Sequence, residues 1–474
     1  MTTLLFSSPI WRNGFFTLIL ICTLSAVTAQ TPDPDKDAVV VDRLYDQVLT
    51  DSRCYAWLET LTKDIGHRIS GSVGAEKAVA WTKSVLDTMH LDSVWLQPCM
   101  VPHWVRGKAE EVLLLPSGKG HAIKLAALAL GGSVGTSTAG VRAEVVEIKH
   151  WDDLERLGEA GLQGKIVFYN RPMDPTKIRT FEAYGGCVDQ RVVGASRAAK
   201  YGAVGVLVRS VNLRIDDFPH TGTLHYDSAY SLIPAAAIST LAAEKLSKNL
   251  QINPKTMVSI KMHCQTLPDA PSFNVIGEIR GSERPGAYIT VGGHLDSWDV
   301  GEGAHDDGAG VVQSMDVLRI LLQTGYRPRH TIRCVLFMNE ENGLRGGKMY
   351  AAEAIRKGEE HLCAIETDAG GFTPRGFTFD GEASVFSNFY EKIRTFQALF
   401  DPYGLKLSKG GSGADIGPLK VTKALLSGYA PDSQRYFDFH HTADDTFDKV
   451  HKRELELGAG SMAALIYLID KYGL

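Results

Sequence analysis

Residues 288–310 read YITVGGHLDSWDVGEGAHDDGAG, an apolar strand, a polar turn and a small-residue loop that opens a helix. Apolar positions recur on one helical face between residues 308 and 324. Strand-like runs follow at residues 331–338 and 361–365. This alternation of strand and helix predicts an α/β fold with a mixed, mostly parallel sheet that is covered by helices on both faces.

Polar side chains follow three of these predicted strands. The first strand runs into His294 and Asp296, the second into Glu340 and Glu341, and the third into Asp368. In open α/β sheets, ligands bind beyond the carboxyl ends of the strands. We therefore expect these side chains to converge on one crevice.

The residue types in this crevice predict a metal site. The His294 imidazole can bind a cation while Asp296 holds the other ring nitrogen and fixes its orientation. Asp306 and Asp307 open the next helix, where carboxylates also serve as ordinary caps. The surrounding glycines favour the metal interpretation, because they let a carboxylate such as Asp306 approach closely and bridge two cations.

Two further stretches supply the remaining ligands. Glu340 and Glu341 are adjacent carboxylates, which repel one another unless a cation or a shared proton compensates. This predicts one metal ligand and one general base. The segment 437–446 supplies a second imidazole from His440 or His441, so that five residues can serve two zinc ions through one bridging carboxylate.

The chain resembles the family of co-catalytic zinc aminopeptidases and glutamate carboxypeptidases over nearly all of its predicted mature length. The matching motifs are GHRISGS at 66–72, HLDSW at 294–298, the Asp306–Asp307 loop, NEENG at 339–343, TDAGG at 367–371, GSGAD at 411–415 and HTADDT at 441–446. The resemblance implies a three-layer αβα zinc exopeptidase domain with an inserted β-rich protease-associated domain, whose usual part is to shape or cover the cleft.

The resemblance also implies roles for individual residues. Asp306 would bridge two Zn²⁺ ions per chain across a cis peptide bond to Asp307, and Glu340 would be the general base. His441 is preferred to His440 because the family's ligand immediately precedes Ser or Thr. The implied metal ligands are His294, Asp306, Glu341, Asp368 and His441, with Asp296 and Asp307 supporting them. Manganese or cobalt could occupy the same ligands.

Changes in local composition and in the spacing of apolar residues predict the domain boundaries. Arg12 followed by an apolar run at 15–24 is typical of an export signal. Proline and aspartate after it indicate a solvated leader or propeptide, and helical spacing follows over 39–90. The predicted parts are a signal peptide at 1–29, the leader at 30–42, the first part of the peptidase domain at 43–118, the protease-associated-like insert at 119–263 and the catalytic part at 264–474.

Composition limits the partners and the compartment. The formal net charge is −5, which offers no cationic field for nucleic acid. The apolar run of the predicted signal is too short to span a bilayer, and no later stretch is long enough for a membrane anchor. We therefore expect a secretory-pathway protein, extracellular or lysosomal. One or two disulfides are possible among the six cysteines after the signal, but Cys334 and Cys363 fit buried free thiols.

The resemblance implies small peptide substrates, in particular unblocked dipeptides, and a homodimer that closes the cleft. An aminopeptidase acting on longer peptides is the nearest alternative. A receptor-like binding protein on a decayed peptidase fold is less compatible with the sequence, because all six ligand and base positions are filled. A single-zinc glutaminyl cyclase is disfavoured by the two complete ligand sets.

Overall fold

Three helices and one long strand begin the described chain. The computed structural model describes residues 1–3, 33–116 and 118–474, so the signal predicted for residues 1–29 lies almost wholly outside them. The helical spacing predicted for residues 39–90 is confirmed. The elements are α1 (Pro34–Asp51), α2 (Cys54–Glu59), a π-helical turn (Thr60–Ile65), α3 (Val73–Asp87) and strand β1 (Ser93–Val105).

A second sheet follows β1, and residues 111–261, which carry it, are called the inserted segment below. Its middle strands consist of fully buried, mostly β-branched or aromatic residues, as expected for parallel strands covered on both faces. Its strands run in the order β3-β2-β9-β5-β6-β7-β8-β4 across the described residues. They are β2 (Glu111–Leu114), β3 (Ile123–Leu125), β4 (Ala127–Ala129), β5 (Val141–Ile148), β6 (Ile166–Tyr169), β7 (Gly205–Arg209), β8 (Ala235–Ile238) and β9 (Met257–Lys261). Its helices are α4 (Trp151–Leu162), α5 (Thr180–Gly185), α6 (Asp189–Val192), α7 (Gly194–Ala199) and α8 (Thr240–Ile252).

The first sheet runs in the order β1-β10-β12-β11-β13-β16-β14-β15. Its central strands β12, β11, β13 and β16 are parallel, whereas β1 and β10 pair antiparallel at one side and β14 pairs antiparallel with β16 at the other. The predicted mixed sheet is therefore confirmed. The strands are β10 (Gln265–Ile279), β11 (Arg284–His294), β12 (His330–Phe337), β13 (Glu360–Glu366), β14 (Pro374–Asp380), β15 (Lys406–Lys409) and β16 (Leu425–Pro431).

Helices cover both faces of this sheet. Neighbouring residues of β10 point to opposite sides, so that Val275 joins one buried cluster and Ile276 the other. The first cluster contains residues of α1, α9 and α14, and the second contains residues of α10. The remaining helices are α9 (Ala309–Gln323), α10 (Arg345–Lys357), α11 (Ala383–Arg394), α12 (Gln397–Phe400), α13 (Tyr436–Phe439) and α14 (Lys452–Tyr472).

The solvated leader predicted for residues 30–42 is wrong from Pro34 onward, because these residues are the first turns of α1. Asp33 caps the helix by accepting a hydrogen bond from the Lys36 amide, and Pro34 lies where a missing amide costs nothing. Asp37 is fully buried against α14. Its carboxylate accepts hydrogen bonds from three side chains of that helix, Tyr467, Lys471 and Tyr472.

Three further features bear on the sequence predictions. The second sheet begins with β2 at Glu111, upstream of the start predicted for the insert at residue 119. Both sheets lie in one compact unit, which extends over the described residues from 33 to 474. All six cysteines in the described parts of the chain are buried and unpaired, which confirms the free thiols at Cys334 and Cys363 and leaves no disulfide there. None of the described helices is both long and apolar enough to cross a membrane.

Candidate metal centre

The predicted ligands lie together beyond the carboxyl ends of the parallel strands. His294 is the last residue of β11, Glu341 follows β12, and Asp368 follows β13. Asp306 lies in the irregular turn Ala304–Gly308 before α9, and His441 follows α13. Parallel strands end at one edge, which is why residues distant in sequence meet there.

Asp306 stands between two sets of ligands. Its Oδ1 atom is 3.1 Å from His294 Nε2, which in turn is 3.5 Å from Asp368 Oδ1. Its Oδ2 atom is 3.2 Å from His441 Nε2, which is 3.1 Å from Glu341 Oε2. One carboxylate thus faces two groups, each made of one imidazole and one further carboxylate.

Both imidazoles are oriented in the same way. His294 Nδ1 lies 2.9 Å from the main-chain oxygen of Asp296, and His441 Nδ1 lies 3.3 Å from that of Thr221. A carbonyl can only accept, so Nδ1 carries the proton and the Nε2 lone pair points at the carboxylates. This is the arrangement that a metal-binding histidine requires.

The structure corrects the role predicted for the Asp296 side chain. Its Oδ1 is 3.9 Å from His294 Nδ1, and it instead accepts hydrogen bonds from the Asn339 and Glu340 amides at 2.7 and 3.0 Å. Asp296 therefore orients His294 through its main chain and fixes the turn that carries Glu340 through its carboxylate. The physical reason is that the two strand ends lie side by side, which spacing along one strand could not reveal.

Asp307 holds the loop that presents Asp306. Its oxygens accept from the His294 amide at 3.0 Å and the Gly310 amide at 3.1 Å, and the Asp306–Asp307 peptide bond is cis, as the resemblance implied. A Cβ at Gly310 would lie 2.1 Å from the Thr367 carbonyl oxygen, so only glycine fits there.

Asp445, which the sequence analysis did not single out, supports the same loop. Its carboxylate accepts from the His305 and Asp306 amides at 2.8 and 3.1 Å. It lies in the HTADDT motif, but its partners are far away in sequence. Its function as a clamp therefore depends on the tertiary fold.

The electrostatics of the site suit bound cations. Burial raises the pKa of Glu341 to about 7, and burial also raises the pKa of Asp307 and Glu340 well above their usual range. The pKa of Asp306 is held well below its usual range despite burial, because His294 and His441 contact it. Asp306 Oδ2 and Glu341 Oε1 are buried without a hydrogen-bond partner among the described residues. Such carboxylates need a positive counter-charge, and nitrogen and oxygen donors of this kind bind Zn²⁺.

The neighbouring histidine, His440, is less well placed. Its Nε2 lies 3.8 Å from Asp306 Oδ2, against 3.2 Å for His441, and its ring stacks on that of His441 at 3.5 Å between centroids. Ligand atoms of Asp306, His440 and His441 do lie within 4.8 Å of one another. The shorter distances to both Asp306 and Glu341 favour His441.

A cavity of about 390 Å³ opens over these ligands. Its floor includes Asp306, Glu340, Glu341 and Asp368, and the inserted segment contributes part of its walls. The sequence analysis missed the residues of these walls, because their identity offers no spacing signal. They include Phe181, Tyr184, Arg191, Tyr436 and Phe437.

Arg191 is the most informative of the missed residues. It is 5% exposed, and its Nη2 donates to the Tyr184 hydroxyl at 2.7 Å. Its Nε is buried without a hydrogen-bond partner in the described parts of the chain. A guanidinium in the wall of a cavity is suited to bind a carboxylate, because it is always charged and presents a planar set of donors.

Comparison with known proteins identifies the family of the chain. Residues 274–466 match peptidase family M28. The chain belongs to that family and is a zinc metallopeptidase.

Among its relatives is carboxypeptidase Q, also called plasma glutamate carboxypeptidase. The chain is 34% identical over 421 residues to carboxypeptidase Q of Bos taurus, covering 88% of this chain and 85% of that protein. It is 34% identical over 419 residues to that of Homo sapiens, with the same coverage.

Solved structures share the fold. The crystal structure of a peptidase M28 precursor from Shewanella amazonensis SB2B superposes with a TM-score of 0.85 at 31% identity, covering 92% of this chain and 97% of that one. A zinc aminopeptidase from Bacillus subtilis has a TM-score of 0.62 at 20% identity, covering 88% and 94%. The second likeness concerns the fold alone.

Proposed function

We propose that this chain is a two-zinc exopeptidase that hydrolyses small peptides, principally dipeptides with free ends. The observation that carries the proposal is the position of Asp306, whose two oxygens face two separate ligand groups. In this assignment Asp306 would hold both ions. His294 and Asp368 would complete the ligands of one zinc, and Glu341 and His441 those of the other.

The chemistry divides between the metals and one carboxylate. Two zinc ions would polarise the scissile carbonyl and make a water molecule acidic enough to lose its proton near neutral pH. Glu340 lines the cavity beside these ligands, and Asp296 holds its main chain by accepting a hydrogen bond from its amide at 3.0 Å. Glu340 accepts the proton of the attacking water and returns it to the leaving amine.

The position of Arg191 favours dipeptides over longer peptides as substrates. A dipeptide places its free carboxylate one residue beyond the scissile bond, and Arg191 lies in the wall of the same cavity as Glu340. A cavity of about 390 Å³ is at the small end of ligand sites. The free amino group of the substrate would lie against the carboxylates of the floor, which favours cleavage next to a chain end.

The inserted segment is proposed to be the family's protease-associated domain, and the enzyme to form a homodimer in the secretory pathway, extracellular or lysosomal. Phe181 is 45% exposed at the cavity and would gain cover from a second subunit. Light scattering of the purified protein measures the subunit number directly, and a monomer at all concentrations contradicts the dimer.

The decisive experiment combines metal content with substrate length. The purified enzyme should contain two zinc ions per chain, lose activity on chelation and regain it with zinc. In a series of di-, tri- and tetrapeptides, the dipeptide should have the highest kcat/KM. Similar rates on all lengths would indicate a general aminopeptidase, and tight zinc binding without hydrolysis would indicate a receptor-like protein.

A further inference from the structure

Two adjacent residues of the inserted segment, His220 and Thr221, hydrogen-bond to the two histidines after α13, one of which is the proposed zinc ligand His441. The Thr221 amide donates to the His441 carbonyl at 3.0 Å, and His441 Nδ1 donates to the Thr221 carbonyl at 3.3 Å. His220 Nδ1 lies 2.8 Å from the His440 carbonyl. Three hydrogen bonds thus join two residues of the inserted segment to the two histidines after α13.

These contacts stabilise an unfavourable main-chain conformation at His441. His441 has a φ of 63°, in the left-handed region that residues other than glycine rarely occupy. Such a conformation persists only when surrounding contacts hold it. The Thr221 contacts supply this hold on both the main chain and the ring of His441.

The supporting residues are themselves firmly placed. Thr221 is fully buried, and its hydroxyl donates to the Ala129 carbonyl at 2.8 Å. His220 is 1% exposed, and burial lowers its pKa to about 3, so its imidazole is neutral at neutral pH. A neutral imidazole has one N–H, and the His440 carbonyl requires it on Nδ1. The His220 amide is held in turn by the Ser210 hydroxyl at 2.8 Å.

We propose that His220 and Thr221 are positioning residues that set the orientation of His441, so that the inserted segment determines zinc affinity as well as the shape of the cleft. This inference rests on the proposed two-zinc function. Outer contacts of this type typically change metal affinity by about 10–100-fold. The zinc site that contains His441 should therefore depend on the inserted segment, whereas the site that contains His294 should not.

The test compares two substitutions at one position. His220→Phe keeps a ring but removes the donor to the His440 carbonyl, whereas His220→Asn keeps a donor close to the position of Nδ1. Zinc affinity is measured by competition with a chromogenic chelator, which resolves the two ions. We expect His220→Phe to weaken one of the two zinc sites by about tenfold or more, and His220→Asn to restore most of that loss.

Tyr226→Phe is the matched control. It removes a hydroxyl that bonds within the inserted segment, to the Ile233 carbonyl at 2.6 Å, and it touches neither histidine after α13. Its zinc affinities should equal those of the wild type. If His220→Phe is folded and binds both ions with wild-type affinity, the positioning role is wrong.

A second variant keeps the test decisive if His220→Phe does not fold. Arg214 of the inserted segment pairs with Asp444 at 3.1 Å, beyond His441 in the same loop, and is partly exposed. Arg214→Ala should lower the affinity of the same zinc site by about threefold, as expected for one partly exposed ion pair, and unchanged affinity would refute the inference. A wild-type enzyme that binds one zinc would instead contradict the proposed function.

Discussion

Arg191 and His441 donate to the same acceptor, the main-chain oxygen of Thr221, at 3.4 and 3.3 Å. The proposed anchor of the substrate carboxylate and a proposed zinc ligand therefore meet at one atom of the inserted segment. Recognition of the carboxyl end of the peptide and orientation of the zinc ligand would therefore depend on the same part of the inserted segment.

Replacing Arg191 should separate binding from metal content. Arg191→Ala should raise KM for an unblocked dipeptide by about 10–100-fold, because it removes a charge-assisted contact to the carboxylate. Steady-state kinetics with the dipeptide and its C-terminal amide provide the measurement. The amide should be a poor substrate for the wild type and change little in the variant. An equal loss on both substrates would show that Arg191 does not bind the carboxylate.

Replacing Glu340 should abolish turnover and spare the metals. Glu340→Gln keeps the shape of the side chain but cannot take up the proton, so kcat should fall by about 10²–10⁴-fold. Zinc content should remain at the wild-type value. Glu391→Gln, at an exposed position of α11, is the control and should be fully active. Near-normal activity of Glu340→Gln would mean that another group is the base.

Removing zinc should lower stability. Each of the proposed ions should stabilise the folded enzyme by about 3–4 kcal/mol when its free concentration is 100–1,000 times Kd. Thermal unfolding with and without a chelator measures the difference. An unchanged Tm after complete removal of the metal would argue against ions at the buried carboxylates.

The stability of the metal-free enzyme should fall between about pH 6.5 and 8. Burial raises the folded-state pKa of Glu341 and Asp445 to about 7, above their unfolded values, so the folded chain binds more protons in this range. Because the unfolded chain binds fewer protons than the folded chain, the free energy of unfolding decreases as the pH rises. The raised pKa of His441, near 10, acts in the same direction, because carboxylates outweigh its burial.

The zinc-loaded enzyme should show a weaker dependence, because the cations replace those protons. The buried neutral His220 and His305 do not disturb this window, since their lowered pKa values affect stability only below about pH 6.5. Melting curves at several pH values compare the two forms. A metal-free enzyme that becomes more stable as the pH rises from 6.5 to 8 would contradict the prediction.

The first helix should contribute strongly to stability. Asp37→Ala would leave Lys471 and two tyrosines of α14 without their buried partner, at a cost of about 2–4 kcal/mol. Urea unfolding measures this cost. Asp35→Ala, an exposed neighbour in the same turn, should change stability by less than about 0.5 kcal/mol. Equal effects of the two substitutions would mean that α1 is not docked through Asp37.

The failure of the leader prediction has a clear local cause. Aspartate and proline at positions 33–37 are typical of solvated segments, but the same residues form a helix start, with Asp33 as cap and Pro34 in the first turn. Burial of Asp37 depends on α14, more than 400 residues later. Composition alone could not distinguish the two interpretations.

The sequence by itself determined the αβα plan and predicted the metal ligands and the general base. Strand periodicity, small-residue loops and polar side chains at strand ends are local signals, and the family motifs repeat them. Only the tertiary structure decided that Asp296 supports Glu340 rather than the His294 ring, that Arg191 faces the cavity, and that Thr221 holds His441. These relationships join residues distant along the chain. In these contacts the Asp296, Arg191 and His441 side chains bond to main-chain atoms, which every amino acid carries and which therefore leave no mark in the sequence.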